Sequence, residues 1–425
     1  MKKHSAWVPN FGLKGWGIVF LGICFYYIQQ VLDGGLNMLF TTYNAIYGWS
    51  TTAMASVITI GGWLAVVGIA LFGGVCKKKG TKFVSVVGLA GLAVGLAVLG
   101  ASTSFVGFVV GAVIFLFCAS GFGIIGVGQY GADWFPTTKG MYMGMVTMGI
   151  TAGSATINLV MNTLFPKIGV SGFMYLFAGI AVVLIVLVLF SKNTPEEAGA
   201  YPDNDKSMTR EKVLELRRMA EEYKKRSPWT TRKVLKTKQT WFVAIGWGLP
   251  MMAAVGVMTN LVGTIASYGH DYMYGITLLS TMWPAGVLGN YLGGVVDEKF
   301  GTKTATLMVV ALELVGAFIT LVFGADKILV AVGVALFMFA ISACTNVCMS
   351  MTATVYGRED FENAWPVVQV IFRIIQVSGV LFIASIAEGI SYKAALMGVI
   401  IIVAIGGVIV MLTSSEQIGS HMDDA

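Results

Sequence analysis

Arg373 is the residue best placed to do chemistry, because it is the only arginine or lysine deep inside a long apolar stretch, and Gln369 and Gln376 share its helical face at i−4 and i+3. A guanidinium presents a planar fork of N–H donors that a carboxylate meets with two parallel hydrogen bonds. This trio is therefore suited to holding a small organic anion. A second set comes early in the chain, where Tyr26, Gln30, Asp33 and Asn37 fall at i, i+4, i+7 and i+11 and would line one face of a single helix. Such a stripe has to face water or protein, and an ionisable residue at that depth marks a pathway or a pair. Asp33 can carry a proton, or it can form a structural salt bridge with Arg373. The two roles are compatible, since a guanidinium can hold the aspartate in an empty site and a bound carboxylate in a filled one. Glu313, midway along another apolar segment, has no role in this scheme beyond a polar neighbour or a neutral, protonated state.

Other chemistries are excluded by residue type and place. His4, His270 and His421 lie outside the apolar segments, so no buried His–carboxylate or His–metal constellation can form. Cys344 and Cys348 share a face at i, i+4, but two soft ligands without a third make no metal site, and the five cysteines read as small packing residues. Gly121 to Gly126 spell G-x-G-x-x-G inside an apolar helix rather than between a strand and a helix, which makes them packing glycines. No phosphate-binding G-x-x-x-x-G-K-[ST] loop occurs. An enzyme, a resident cofactor and a nucleic-acid partner are not expected, and any work the chain does has to run on gradients or exchange.

The elements that position these residues belong in a bilayer. Of 425 residues, 56% are hydrophobic and only 12% charged, with a mean hydropathy of +0.78, too little polarity to cover a water-facing surface. Twelve segments are long and apolar enough to span, at approximately 15–40, 52–75, 83–101, 105–130, 141–163, 171–190, 240–266, 273–296, 304–324, 328–353, 365–388 and 393–413. The first is long enough to span and has no small-residue cleavage site, so no cleavable signal is expected. The expected domains are an N-terminal six-helix bundle over 1–190, a linker over 191–239 and a C-terminal six-helix bundle over 240–425.

Orientation follows from the basic residues. Lys167, Lys327 and Lys393 fall on one side and Arg373 inside a span, while the rest of the 28 lysines and arginines, 13 of them in the linker, fall on the other. Both termini and the linker are accordingly expected to be cytoplasmic, in a multi-pass protein of the cell membrane. Within the linker, residues 208–226 mix Glu with Lys and Arg at i, i+3 and i+4, a pattern for a short surface helix.

The two halves repeat. The second span ends in Gly73, Gly74, Lys77, Gly80 and Lys82, and the eighth ends in Gly293, Gly294, Asp297, Gly301 and Lys303, an offset of 220 to 221 residues. Two parallel repeats are the build of a transporter with its site near the midplane between the halves. The chain here resembles the major facilitator superfamily. Gly293, Asp297, Gly301 and Lys303 look like that superfamily's G-x-x-x-D…G-x-K turn, a gating motif, with one extra residue before the glycine; the first turn has Lys77 in place of the acid. Ala132-Asp133-Trp134-Phe135-Pro136-Thr137-Thr138-Lys139-Gly140, followed by Gly144, Gly149 and Gly153, is similar to a segment of oxalate:formate antiporter-like and monocarboxylate porters and of organic anion symporters. The stretch 195–203 is similar to a loop of the same families. The resemblance implies a twelve-helix all-α fold and transport of a carboxylate. Arg373 is the approximate counterpart of a substrate-binding cation, with no second cation in span eight, which favours a monocarboxylate or a zwitterion over a dicarboxylate. Arg373, Gln369, Gln376, Tyr26, Gln30 and Asn37 are then expected to bind substrate and Asp33 to couple it to a proton or counter-anion, in a chain acting as a monomer. The alternatives are a proton-coupled exporter of drugs or neutral solutes, which lacks the expected arginine in span four, and a transporter-like membrane sensor.

Overall fold

The computed structural model describes residues 11–136, 138–205, 229–357 and 360–414, together with 211, 212, 214, 215, 218, 219, 222, 227, 417 and 418. Most of the expected surface helix at 208–226 lies outside the described residues. Among those described, the chain is helical and contains no strand. The helices are α1 (Gly12–Asp33), α2 (Leu36–Tyr47), α3 (Thr51–Lys79), α4 (Thr81–Ala101), α5 (Phe105–Ala119), α6 (Val127–Trp134), α7 (Lys139–Val146) and α8 (Met148–Phe190). They continue as α9 (Thr231–Lys236), α10 (Lys238–Thr259), α11 (Leu261–Ser267), α12 (Tyr272–Thr281), α13 (Trp283–Phe300), α14 (Thr302–Phe323), α15 (Lys327–Tyr356), α16 (Phe361–Gly389) and α17 (Tyr392–Met411).

Among the described residues, ten helical stretches of at least 18 residues are apolar enough to cross a bilayer, and the twelve expected spans differ from this count at two places. The fifth and sixth expected spans run together in the stretch Met141–Phe190, which bends where Pro166 is followed by Gly169 at φ 69 and ψ 172. The eighth expected span breaks at Met282, because Pro284 restricts the residue before it and has no N–H to offer the preceding turn.

Local sequence sets most ends. Ser104, Asp271, Asp326 and Ser391 accept backbone N–H bonds as N-caps of α5, α12, α15 and α17. Between α3 and α4 the single residue Gly80 sits at φ 83 and ψ 167, and between α13 and α14 Gly301 sits at φ 85 and ψ 158. That region of backbone space is essentially glycine-only, so the repeated glycine of the two turns has the same physical cause in both halves.

By density of contacts the chain forms two units. One comprises Met1–Gly35 and Leu64–Ala220, the other Leu36–Trp63 and Glu221–Ala425. In the first, α1 lies on α8 with Gly149 against the carbonyl of Ile23 and Gly153 against the side chain of Gln30, and Gly95 meets Gly111 where α4 crosses α5. Gly144 has open space beside it, so only two of the three glycines after the tryptophan motif serve close packing. The G-x-G-x-x-G segment is a π-helical stretch, Ser120–Gly126, with Gly121 on Phe72 and Gly126 on Ser85. In the second unit, Gly256 and Gly379 bring α10 onto α16, Gly316 and Gly333 bring α14 onto α15, and Gly406 seats Pro250 of α10 on α17. Small residues let backbones approach where lipid supplies no hydrophobic drive between helices.

Candidate functional site

Arg373 stands half-buried on α16 and donates from Nη1 to Oε1 of Gln376 at 3.2 Å. The bond joins residues one helical turn apart, and Gln376 is only 8% exposed. Because the acceptor is a neutral amide, that bond does not offset the guanidinium's charge. Gln369, placed on the same face by sequence, is exposed and shares no bond with Arg373 among the described residues. The first half of α3 runs beside this part of α16. Trp63 donates its indole N–H to the carbonyl of Ile374 at 3.1 Å, Thr59 donates to the carbonyl of Val377 at 3.3 Å, and Gly62 leaves room for the Val377 side chain. Trp63 therefore bonds the residue next to the cation, which no spacing rule pointed to because Trp63 and Arg373 are 310 positions apart.

The early stripe divides. Tyr26, Gln30 and Asp33 lie on α1, which ends at Asp33. Gln30 is 5% exposed and accepts from Ser154 Oγ at 2.9 Å, Tyr26 is within electrostatic reach of Tyr142, and Asp33 accepts from Gln29 Nε2 at 3.0 Å. Gly34 and Gly35 then interrupt the helix, both turning back to the carbonyl of Gln30. Asn37 is thereby carried onto α2 and into the other unit, so the expectation of four residues on one helical face is corrected to three. Its amide is occupied: Nδ2 donates to Met258 O at 2.8 Å and Oδ1 accepts from Val262 N at 3.0 Å. These are the backbone groups freed where α10 gives way to α11, so Asn37 stitches a helix break.

Two polar residues outside the expected set hold the ends of these helices. Gln29 reaches Asp33 across one turn, with Gly123 leaving space for its side chain. Glu388, near the end of α16, accepts from Ser50 Oγ at 2.7 Å and Thr52 N at 2.8 Å, so an acid caps the start of α3 where the backbone dipole favours one. Readable in sequence was only Ser50-Thr51-Thr52, a cap-type run.

The motif segments of the N-terminal half meet at one end of their unit. Trp134 Nε1 donates to Asn193 O at 3.2 Å, Thr138 donates from its amide and hydroxyl to Asp203 Oδ1 at 3.1 and 2.6 Å, and Asn193 Oδ1 accepts from Lys82 N at 2.8 Å. The tryptophan segment, the loop after α8 and the Gly80 turn thus form one hydrogen-bonded knot. In the C-terminal half, Gly293 packs on Ala343 of α15, Gly301 N bonds the carbonyl of Asp297, and Lys303 Nζ reaches Met411 O at 3.5 Å.

Residues 18–356 match the sequence profile of the Major Facilitator Superfamily. Among solved structures, the chain is similar to a bacterial homologue of the human lysosomal transporter Spinster in an inward-facing, unoccupied conformation, at 13% identity, TM-score 0.63, covering 94% of this chain and 95% of that one. It is also similar to a point mutant of the nucleoside transporter NupG, at 13% identity, TM-score 0.70, covering 93% of this chain and 99% of that one. At such identity the likeness is one of fold. No curated protein sequence matches the chain significantly. The profile covers most of the chain and the fold agrees along nearly its whole length: the protein belongs to the Major Facilitator Superfamily and is a multi-pass membrane transporter of that type.

Proposed function

We propose that the chain is a secondary active transporter of a small carboxylate-bearing organic anion, working by alternating access as proton symport or anion exchange. The observation that carries this reading is Arg373, a half-buried guanidinium inside an apolar helix whose hydrogen bond goes to a neutral glutamine. A charge at that depth is costly and is retained where it serves a pathway, and the planar fork suits a carboxylate above other anions of its size. Gln376 orients the guanidinium, and Trp63 ties α3 to the next residue of α16 through Ile374 O. Asp33, with Tyr26 and Gln30 on the same helix, is the acid that takes up the coupling proton. Gln369 and Asn37 fit the site less well, the first because it is exposed and the second because its amide is spent on the backbone.

The likeness to oxalate:formate antiporter-like and monocarboxylate porters in the tryptophan segment and in 195–203 supports the same substrate class, and the knot those segments make gives them a shared structural purpose. The gating motif is Gly293, Asp297, Gly301 and Lys303. The asymmetry of the basic residues supports a cell-membrane protein with both termini and the 191–239 linker in the cytoplasm. The test is thermal stabilisation of the purified chain by a panel of mono-, di- and tricarboxylates, because a ligand that binds the folded state raises its apparent stability. A monocarboxylate is expected to stabilise the natural chain and not Arg373→Gln; stabilisation of both alike removes Arg373 from the site.

A further inference from the structure

Glu313 is 1% exposed on α14, and its Oε1 has no hydrogen-bond partner. The helix turns it toward α15. Val309, one turn before, belongs to the same buried core as Ala340, Cys344 and Cys348, and Gly316, less than a turn after, packs on Gly333 and Leu336. Val310 carries the neighbouring face of α14 onto Gly407 of α17.

Cys344 is the titratable group within electrostatic reach of Glu313, with Cys348 one turn beyond it. The remaining titratable groups of the elements packed on α14 stand at helix ends. They are Lys303 on α14 itself, Lys327 and Tyr356 on α15, Tyr392 and Lys393 on α17, Lys238 on α10, and Asp297, Glu298 and Lys299 on α13; Tyr291 of α13 is exposed. None of these is a cation at the depth of the carboxylate, and a lone ionised carboxylate in such a place costs far more than a neutral one lacking a hydrogen bond.

A polar line leads away from Glu313. Cys344, Cys348 and Thr352 follow one another at four-residue steps on α15, each no more than 1% exposed, and Thr352 Oγ1 donates to Cys348 O at 2.9 Å. Ser350 and Thr354, half-buried hydroxyls on the opposite face of α15 from Thr352, meet Thr302 of α14 at 3.4 Å each. Cys344 Sγ donates to Trp247 O at 3.8 Å, so this line bonds backbone carbonyls and offers the carboxyl only neutral neighbours.

We infer that Glu313 is a proton-binding site on the seam between α14 and α15 that holds its proton at neutral pH, distinct from Asp33 and independent of what the transporter carries. The experiment is infrared spectroscopy of the full chain in lipid nanodiscs. At neutral pH a carbonyl stretching band of a neutral carboxylic acid should be present in the natural chain and in Asp33→Asn, and missing in Glu313→Gln. Should Glu313→Gln fail to fold, Glu313→Asp serves instead, because the shorter acid moves the band's frequency without removing it. A natural chain with no Glu313-dependent band at neutral pH overturns the proposal.

Discussion

Asn37 separates a structural reading from a substrate-binding one. Its carboxamide is 5% exposed and joined to Met258 O at 2.8 Å and Val262 N at 3.0 Å, two backbone groups with no helical partner because α10 stops at Thr259 and α11 starts at Leu261. In Asn37→Ala both become buried and unsatisfied, at about 1–3 kcal/mol each, or about 2–6 kcal/mol together. For a folding unit of this size each kcal/mol moves the unfolding midpoint by about 2–4 °C, so the apparent midpoint should fall by about 4–24 °C. Asn37→Asp keeps the acceptor for Val262 but sets a carboxylate oxygen against the carbonyl of Met258, so it should recover only part of the loss. The assay is scanning fluorimetry in detergent at fixed scan rate, with and without a stabilising carboxylate. The increment that the carboxylate adds should be the same in Asn37→Ala as in the natural chain. An unchanged midpoint combined with a lost increment would refute the reasoning and return Asn37 to the substrate cavity.

Arg373→Lys replaces a planar fork with a point charge, so it should bind the same carboxylate about 10–100-fold more weakly, the worth of one charge-assisted hydrogen bond; isothermal titration measures this, and equal affinity would show that the fork is not used. Asp33→Asn mimics the protonated acid, so it should keep or tighten binding, permit exchange of internal for external substrate in liposomes, and lose uphill accumulation under an imposed pH gradient. Continued accumulation would remove Asp33 from coupling. Gly301→Ala and Gly301→Asn should both lower the thermal midpoint, at about 1–3 kcal/mol of backbone strain, because φ 85 and ψ 158 lie outside the left-handed basin that asparagine visits; a rescue by asparagine would contradict the geometry. Cysteine at position 210 should react with impermeant thiol reagents only in opened cells, and labelling of intact cells would reverse the topology.

What was legible in the sequence was whatever a local rule fixes. Apolar length marked the helices, and the glycines at positions 80 and 301 marked the two one-residue turns, since no other residue takes that backbone. The break at Gly34–Gly35 was harder to see, because a glycine pair inside an apolar run can pack as well as stop, and its choice here is settled by contacts more than 120 positions away, including Asn158 donating to Gly34 O. The same holds for Trp63 beside Arg373 and Glu388 at the start of α3, whose partners lie more than 300 positions distant. Polar residues at helical spacing announce that a face is needed, but not what they bond there, and here Gln30 bonds Ser154 while Asn37 bonds Met258 O.

The membership of residues 36–63 in the unit built mostly by the C-terminal half has a consequence for synthesis. Asn37 awaits Met258, 221 positions later, and Thr52 awaits Glu388, 336 positions later. At about 5–20 residues per second, that early hairpin leaves the ribosome about 10–70 s before its partners exist. Cutting the gene in the linker would therefore not give two self-sufficient products. The C-terminal fragment would lack a piece of its own packing until the N-terminal fragment delivered it, so separately expressed halves should be degraded alone and rescued by co-expression, with the rescue depending on Asn37 and Glu388.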